Sequence, residues 1–151
     1  MDKKEIVSTL NDLIETCKDG EQGFKTCAEN VDSPQLKSAL SQHAQECAIG
    51  AQELQGVVRS MGGEAETSSS VSGAMHRGWV DIKSAVTGKD EAAVLDECER
   101  GEDVALESYR DALEKDLPPE IRSIVERQFQ GVVRNHNEVK QMRNSARARA
   151  S

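Results

Sequence analysis

"ECERGEDVALESYRDAL", residues 97–113, decides how this chain folds. Continuing from Leu95, its apolar positions are Cys98, Leu106, Tyr109 and Leu113, at the three- and four-residue steps of an amphipathic helix. The gap in that stripe is filled by Glu102, an acid aimed where core side chains point. A buried carboxylate without partners is costly or shifts its pKa until it is neutral. Such a helix belongs in a bundle whose other members send polar groups to meet it.

The same period recurs on both sides of this stretch. A first helix is expected from about Lys3 to Asn30, with Ile6, Leu10, Leu13, Ile14, Cys17, Phe24 and Ala28 on its inner face. "VDSP" breaks it, with Ser33 as an N-cap and Pro34 in the first turn of a second helix. That helix carries Leu36, Leu40, Cys47, Ala51, Leu54 and Val58 and stops at "MGG", where glycine can turn left-handed. The third long helix spans about Asp90 to Asp116. After "LPPE" a fourth runs from about Pro119 to Ala146 through Ile121, Val125, Val132, Val139 and Met142.

Short breaks join the first helix to the second and the third to the fourth, so each pair should be an antiparallel hairpin. The joint between the pairs, about 62–89, is long. It opens with the polar "GGEAETSSSVSG" and continues with "AMHRGWVDIKSAVTG", a shorter helix with Met75, Trp79, Ile82 and Val86 on one face. Trp79 is expected to pack on the bundle; a surface pocket with His76 and Arg77 is the alternative. Hairpin, long crossover, hairpin is the ferritin-like arrangement. Residues 1–151 are therefore expected to form a single all-α, ferritin-like four-helix-bundle domain. Aligning Phe24 with Tyr109 also brings Pro34 onto Pro119, Leu36 onto Ile121, Leu40 onto Val125 and Leu54 onto Val139. This weak repeat fits two like hairpins related by a pseudo-twofold axis.

Composition removes several function classes. A net charge of −8 argues against a general nucleic-acid binder. The one basic run, "RNSARARAS", reads as a frayed helix end. No apolar run approaches the ~20 residues that cross a bilayer, and "MDKKEIVSTLNDLIE" is too polar for a signal peptide. A cytoplasmic protein is expected, with no membrane insertion. Cys17, Cys27, Cys47 and Cys98 lie far apart without a C-x-x-C pair and read as reduced, buried thiols. Nucleophile-elbow, phosphate-loop and dinucleotide-glycine motifs do not occur.

Glu102 has company. The inner stripes are also interrupted by Glu21, His43, Gln128 and Asn135, with His136 beside the last. Folding the hairpins brings these to similar height. Carboxylates converging with imidazole suit iron or manganese, which makes Glu21, Glu102 and His136 candidate ligands, with His43 and Glu46 as weaker ones. Tyr109, Gln128 and Asn135 would support them, and Tyr109 is placed to hydrogen-bond Glu102. A filled ferritin-like site takes one Glu from each of two helices and a Glu-x-x-His from each of the others. Here the second helix has the order reversed, "HAQE", and Val133 stands three residues before His136. A satisfied polar network that fixes helix register is the simpler reading, and a degenerate dimetal centre the alternative. Catalysis is not decided by these residues. A homodimer suits the fold, but no interface is legible.

"LNDLIETCKDGEQGF", "HRGWVDIK", "ECERGEDVALESYRDAL" and "RQFQGVVRNH" together closely resemble a bacterial family of uncharacterised four-helix-bundle proteins in the ferritin-like superfamily. The resemblance covers nearly the whole chain and implies a ferritin-like domain in the cytoplasm, with a link to stress response or cell-envelope maintenance by analogy only. It brings no activity. Glu21, His76, Arg77, Trp79, Glu99, Glu102, Tyr109, Gln128, Asn135 and His136 fall within its motifs; His43 lies outside them. Six-ligand relatives oxidise iron or reduce peroxide, and this chain departs from their two Glu-x-x-His motifs.

Overall fold

The structure is a computed structural model that describes residues 1–67, 79 and 82–150. The helices are α1 (Lys3–Glu29), α2 (Pro34–Ser60), the short α3 (Ile82–Val86), α4 (Glu91–Leu113) and α5 (Pro119–Ala150). No strand occurs among the described residues. None of these helices is long and apolar enough to cross a membrane.

The helix ends are set by local chemistry. Asp2, Ser33 and Asp90 each accept a hydrogen bond from the backbone N–H three residues on, meeting one of the unpaired donors of a first turn. Gly62 ends α2 with φ +78, a conformation that side chains with a Cβ rarely adopt. Arg122 donates to the carbonyls of Leu113 and Lys115, so the first turn of α5 satisfies the free acceptors at the end of α4.

Three contacts fix the order of packing. Lys115 at the end of α4 donates to Thr9 near the start of α1, 3.1 Å away. Tyr109 meets Cys17 at mid-height. Glu91, in the first turn of α4, accepts from the Ser33 N–H at the α1–α2 turn. Thus α1 and α4 run antiparallel, and the two hairpins pack with their turns at opposite ends. The described ends of the crossover also sit at different heights. Glu64 and Glu66 are held by Asn11, whereas Trp79 lies between Gly23 and Gly101. This is the ferritin-like topology.

The core has two halves. Phe24, Cys27, Val31, Leu36, Leu40, Val94, Leu95, Cys98 and Val139 fill the end nearest the α1–α2 turn. Ile6, Leu10, Leu13, Ile14, Cys17, Leu54, Val58, Tyr109 and Val125 fill the other. Each buried aliphatic side chain contributes about 1.5–3 kcal/mol. The expected repeat is visible here: Phe24, Leu36 and Leu40 lie in one half, and Tyr109, Ile121 and Val125 in or against the other. Between the halves come Gly20, Cys47, Glu102 and Asn135.

Two expectations change. Of the crossover helix only Ile82–Val86 is seen as α-helix, and Met75, His76 and Arg77 lie outside the described residues. The basic tail is not a frayed end. It continues α5 to Ala150, with Arg143 and Arg147 bound to Asp96 and Glu99 of α4.

Candidate functional site

The waist of the bundle is built around missing side chains. A Cβ on Gly23 would stand 2.2 Å from Cε3 of Trp79, and one on Gly101 would stand 2.2 Å from Cε2 of the same ring. The two glycines therefore form the slot in which the indole lies, 5% exposed. Gly20 plays the same part for Cys47, whose Sγ would meet a Cβ there at 2.9 Å. Helical glycine costs about 1 kcal/mol relative to alanine, so three of them at one level of the bundle mark a place where shape outweighs helix propensity.

Beside the indole lies a cavity of about 320 Å³, opening between α2 and α5. Phe24, Trp79 and Tyr109 line it, as do Cys17, Cys47 and Glu102. Ile49, 55% exposed, stands at its mouth with Gly50 and Gly131. Gln128 is the clasp across that mouth. Its amide donates to the Gly50 carbonyl at 3.2 Å and to Glu53 at 2.7 Å, while its oxygen accepts from the Tyr109 hydroxyl at 2.7 Å.

Glu102 is 4% exposed, and its Oε1 has no hydrogen-bond partner among the described residues. Burial, and then the charges of Asp103, Glu138 and Glu46, push its pKa up to about 9. Burial likewise raises the Cys17 thiol to about 11, and the Cys47 thiol and Tyr109 phenol well above their ordinary values. At neutral pH these four buried groups of the lining are thus protonated and uncharged. Glu53 at the rim behaves oppositely: burial works against its charge, but bonds from Arg127 and Gln128 hold its pKa below the usual range.

The other candidates do not join Glu102. Glu21 stands at the margin of the bundle, its side chain 17% exposed, and pairs with Lys18 and Lys25. Glu46 is exposed and accepts from Asn135 at 2.7 Å. His43 is buried against the edge of Phe24, with Nε2 3.4 Å from Glu138. His136 sits 2.8 Å from Asp103 and 3.9 Å from Glu99. The expected Tyr109–Glu102 bond is also absent, because the hydroxyl goes to Gln128. Gln128 and Tyr109 do reach the cavity, with Asn135 at its edge.

A ferritin-like dimetal centre needs carboxylates and imidazoles from four helices on one point. In the waist, Glu102 is the one described candidate buried at the cavity; the polar groups nearest it are thiols, a phenol and an amide, with Glu46, Glu53, Arg127 and Arg134 at the rim and, among the described residues, no imidazole. The described residues do not fit a dimetal centre. The nearest approach to a ligand set is Glu99, Asp103 and His136, whose polar atoms lie within 4.8 Å of one another. Arg143 is seated on Glu99 and His136 on Asp103, so this is a closed ion-pair network on the α4–α5 flank.

Gly20, Gly23 and Gly101 belong to the site although they stand outside the apolar stripes and their polar gaps. Their signal is visible in "CKDGEQGF" and "CERGED", where glycine interrupts strong helix patterns. Cys47 and Glu53 carried no such signal.

A family model described as a domain of unknown function (DUF2383) matches residues 5–115. The chain belongs to this family. The match takes in α1 to α4, and with them Trp79, its glycine slot and Glu102. No curated protein matches significantly. Among solved structures, the dodecameric thioferritin of Bacteroides fragilis, a bacterioferritin-related protein, superposes with a TM-score of 0.76 at 14% identity, over 99% of this chain and 90% of that one. The DPS protein of Vibrio cholerae O1, from a broad superfamily of ferritin-like diiron-carboxylate proteins, gives 0.59 at 13% identity, over 99% and 91%. At such identities the likeness is one of fold, and it agrees with the topology derived above.

Proposed function

We propose that this protein is a non-catalytic binding module, a ferritin-like bundle whose waist holds a small organic ligand in place of metal. The observation that carries this reading is the Glu102 carboxyl. It lines a cavity of about 320 Å³ that opens to the surface, and its Oε1 lacks a partner among the described residues. Native proteins leave few buried polar atoms unpaired, and a concave, largely apolar pocket with a few convergent polar groups is the usual form of a ligand site. A cytoplasmic location is part of this proposal, supported by the four free cysteines, which suit a reducing compartment.

Two measurements test this. Protein purified from iron- and manganese-replete cells and desalted is expected to hold well under one metal ion per chain, with no rise in melting temperature on adding either ion. Small amphiphilic organic molecules should raise the melting temperature by mass action. Stoichiometric metal that disappears in Glu102→Ala would overturn the proposal in favour of a metal-binding ferritin-like protein with iron or manganese chemistry.

A further inference from the structure

The chain has four Phe, Tyr and Trp residues, and three of them, Phe24, Trp79 and Tyr109, line this one cavity. Phe24 and Trp79 pack edge to face, with centroids 5.3 Å apart and planes at 61°. The ring walls enclose space beside one buried carboxyl group, whose Oε1 has no partner among the described residues. Aromatic faces are negative and attract cations within about 6 Å of the ring centre. A desolvated carboxylate needs a positive partner before it can carry charge.

The surroundings have the same sign. Glu46 of α2, Asp103 of α4 and Glu138 of α5 are the acids whose charges bear on Glu102. Glu46 and Glu53 both stand at the cavity edge. Of the two arginines at the mouth, Arg127 is bound to Glu53 and Arg134 is exposed. An anion could meet Arg134 at the mouth, but around Glu102 it would meet acids and aromatic rings, and a neutral molecule would leave them unused.

Resting on the binding reading above, we infer that the ligand is an organic ammonium ion, its cationic head between Glu102 and the aromatic walls and its apolar part toward Ile49. The volume limits it to a small body, near the lower end of the ~300–1,000 Å³ range of ligand pockets. Glu102 is neutral in the free protein, so docking the cation drives its proton into solvent. The reaction is R–NH3+ plus the carboxylic acid giving the ion pair plus H+. Affinity therefore rises with pH up to the range in which free Glu102 ionises by itself.

The test uses cyclohexylamine, cyclohexanol and cyclohexanecarboxylate, which share a shape and differ in charge at pH 7. None absorbs where tryptophan does, so the emission of the sole tryptophan, Trp79, reports binding at its own wall. The amine should bind about tenfold or more tighter than the alcohol, with the carboxylate weakest. Calorimetry in buffers of different ionisation enthalpy should show close to one proton released per amine. In Glu102→Gln the amine should fall to the level of the alcohol and the proton release should vanish. An alcohol or carboxylate that binds as well as the amine, or an amine preference that survives in Glu102→Gln, would overturn the ammonium assignment while leaving the binding module standing. If no compound of any charge perturbs Trp79 or the melting temperature, the binding reading itself fails.

Discussion

The Tyr109 hydroxyl donates to Oε1 of Gln128 across 2.7 Å, joining α4 to α5 at the waist of the bundle. The bond uses the one phenolic hydrogen near Glu102. It also orients the Gln128 amide so that its N–H groups face the Gly50 carbonyl and Glu53 of α2. One side chain thus ties three helices beside the cavity mouth, and Oε1 of the Glu102 carboxyl lining that cavity has no donor among the described residues.

This linkage ranks two variants. Tyr109→Phe leaves the Gln128 oxygen without its donor and should cost about 1 kcal/mol. Gln128→Ala removes three hydrogen bonds and the clasp between α2 and α5, and should cost more, about 2–3 kcal/mol. Urea unfolding at neutral pH measures both. A larger loss for Tyr109→Phe than for Gln128→Ala would contradict the assignment of the phenol to Gln128.

The glycine slot predicts a reversal of sign. Gly101→Ala places a methyl 2.2 Å from the Trp79 ring, which has to move. Overpacking of this kind costs about 1–3 kcal/mol, against a gain in helix propensity of about 1 kcal/mol. The net effect should be destabilising, with Trp79 emission shifted to the red. In a Trp79→Ala background the obstacle is gone, and Gly101→Ala should become neutral or stabilising. A double-mutant cycle by urea unfolding reads the coupling directly; equal effects in both backgrounds would remove the slot.

The helices were legible because their signals are local. Ser33 before Pro34, the glycines after Met61 and the stripe from Ile6 to Ala28 act within a turn or two of themselves. The waist was legible only in outline, since a period-3.6 stripe is broad enough that a carboxylate at its margin can rotate either way. Glu21 stays at that margin, paired with Lys18 and Lys25, which stand three and four residues away on its own helix. That cue was present in the sequence and outweighs the gap in the stripe. His136 finds Asp103, and Arg143 finds Glu99, across the α4–α5 contact. Such pairings depend on the rotation of each helix about its axis, which no pattern within one helix specifies. Glu102 faces inward, as its place in the stripe implies, because its own helix offers no lysine within reach: the residue three before it is Glu99 and the one four after it is Leu106.

The arginines of the α5 tail should differ sharply. Arg143 is largely buried and binds Glu99, with Nε 3.6 Å from Asp96. Arg147 meets Asp96 at 2.8 Å in the open. Arg143→Ala strands a half-buried carboxylate and removes an aliphatic stem from the α4–α5 seam, for a loss of about 1–2 kcal/mol. Arg147→Ala should change stability by less than about 0.5 kcal/mol, as exposed pairs do. Thermal unfolding in low and high salt checks this. The Arg147 effect should vanish with salt and the Arg143 effect should largely persist.

Glu102 has its pKa raised in the folded protein from 4.5 to about 9, first by burial and then by Asp103, Glu138 and Glu46. Between those values the folded chain holds a proton that the unfolded chain has released. Stability must therefore fall as pH rises through this window, by up to about 1.4 kcal/mol per pH unit, and level off above it. Glu102→Gln keeps the shape of the protonated acid and cannot ionise. It should match the wild type near the acid end of the window and exceed it by a few kcal/mol toward the alkaline end. Asp12 and Glu15, also raised by burial, contribute to both proteins and cancel in the difference. Urea unfolding of both proteins at about pH 5.5, 7 and 8.5 gives that difference curve. A flat difference would mean that Glu102 ionises freely, with a partner or solvent that its burial denies it.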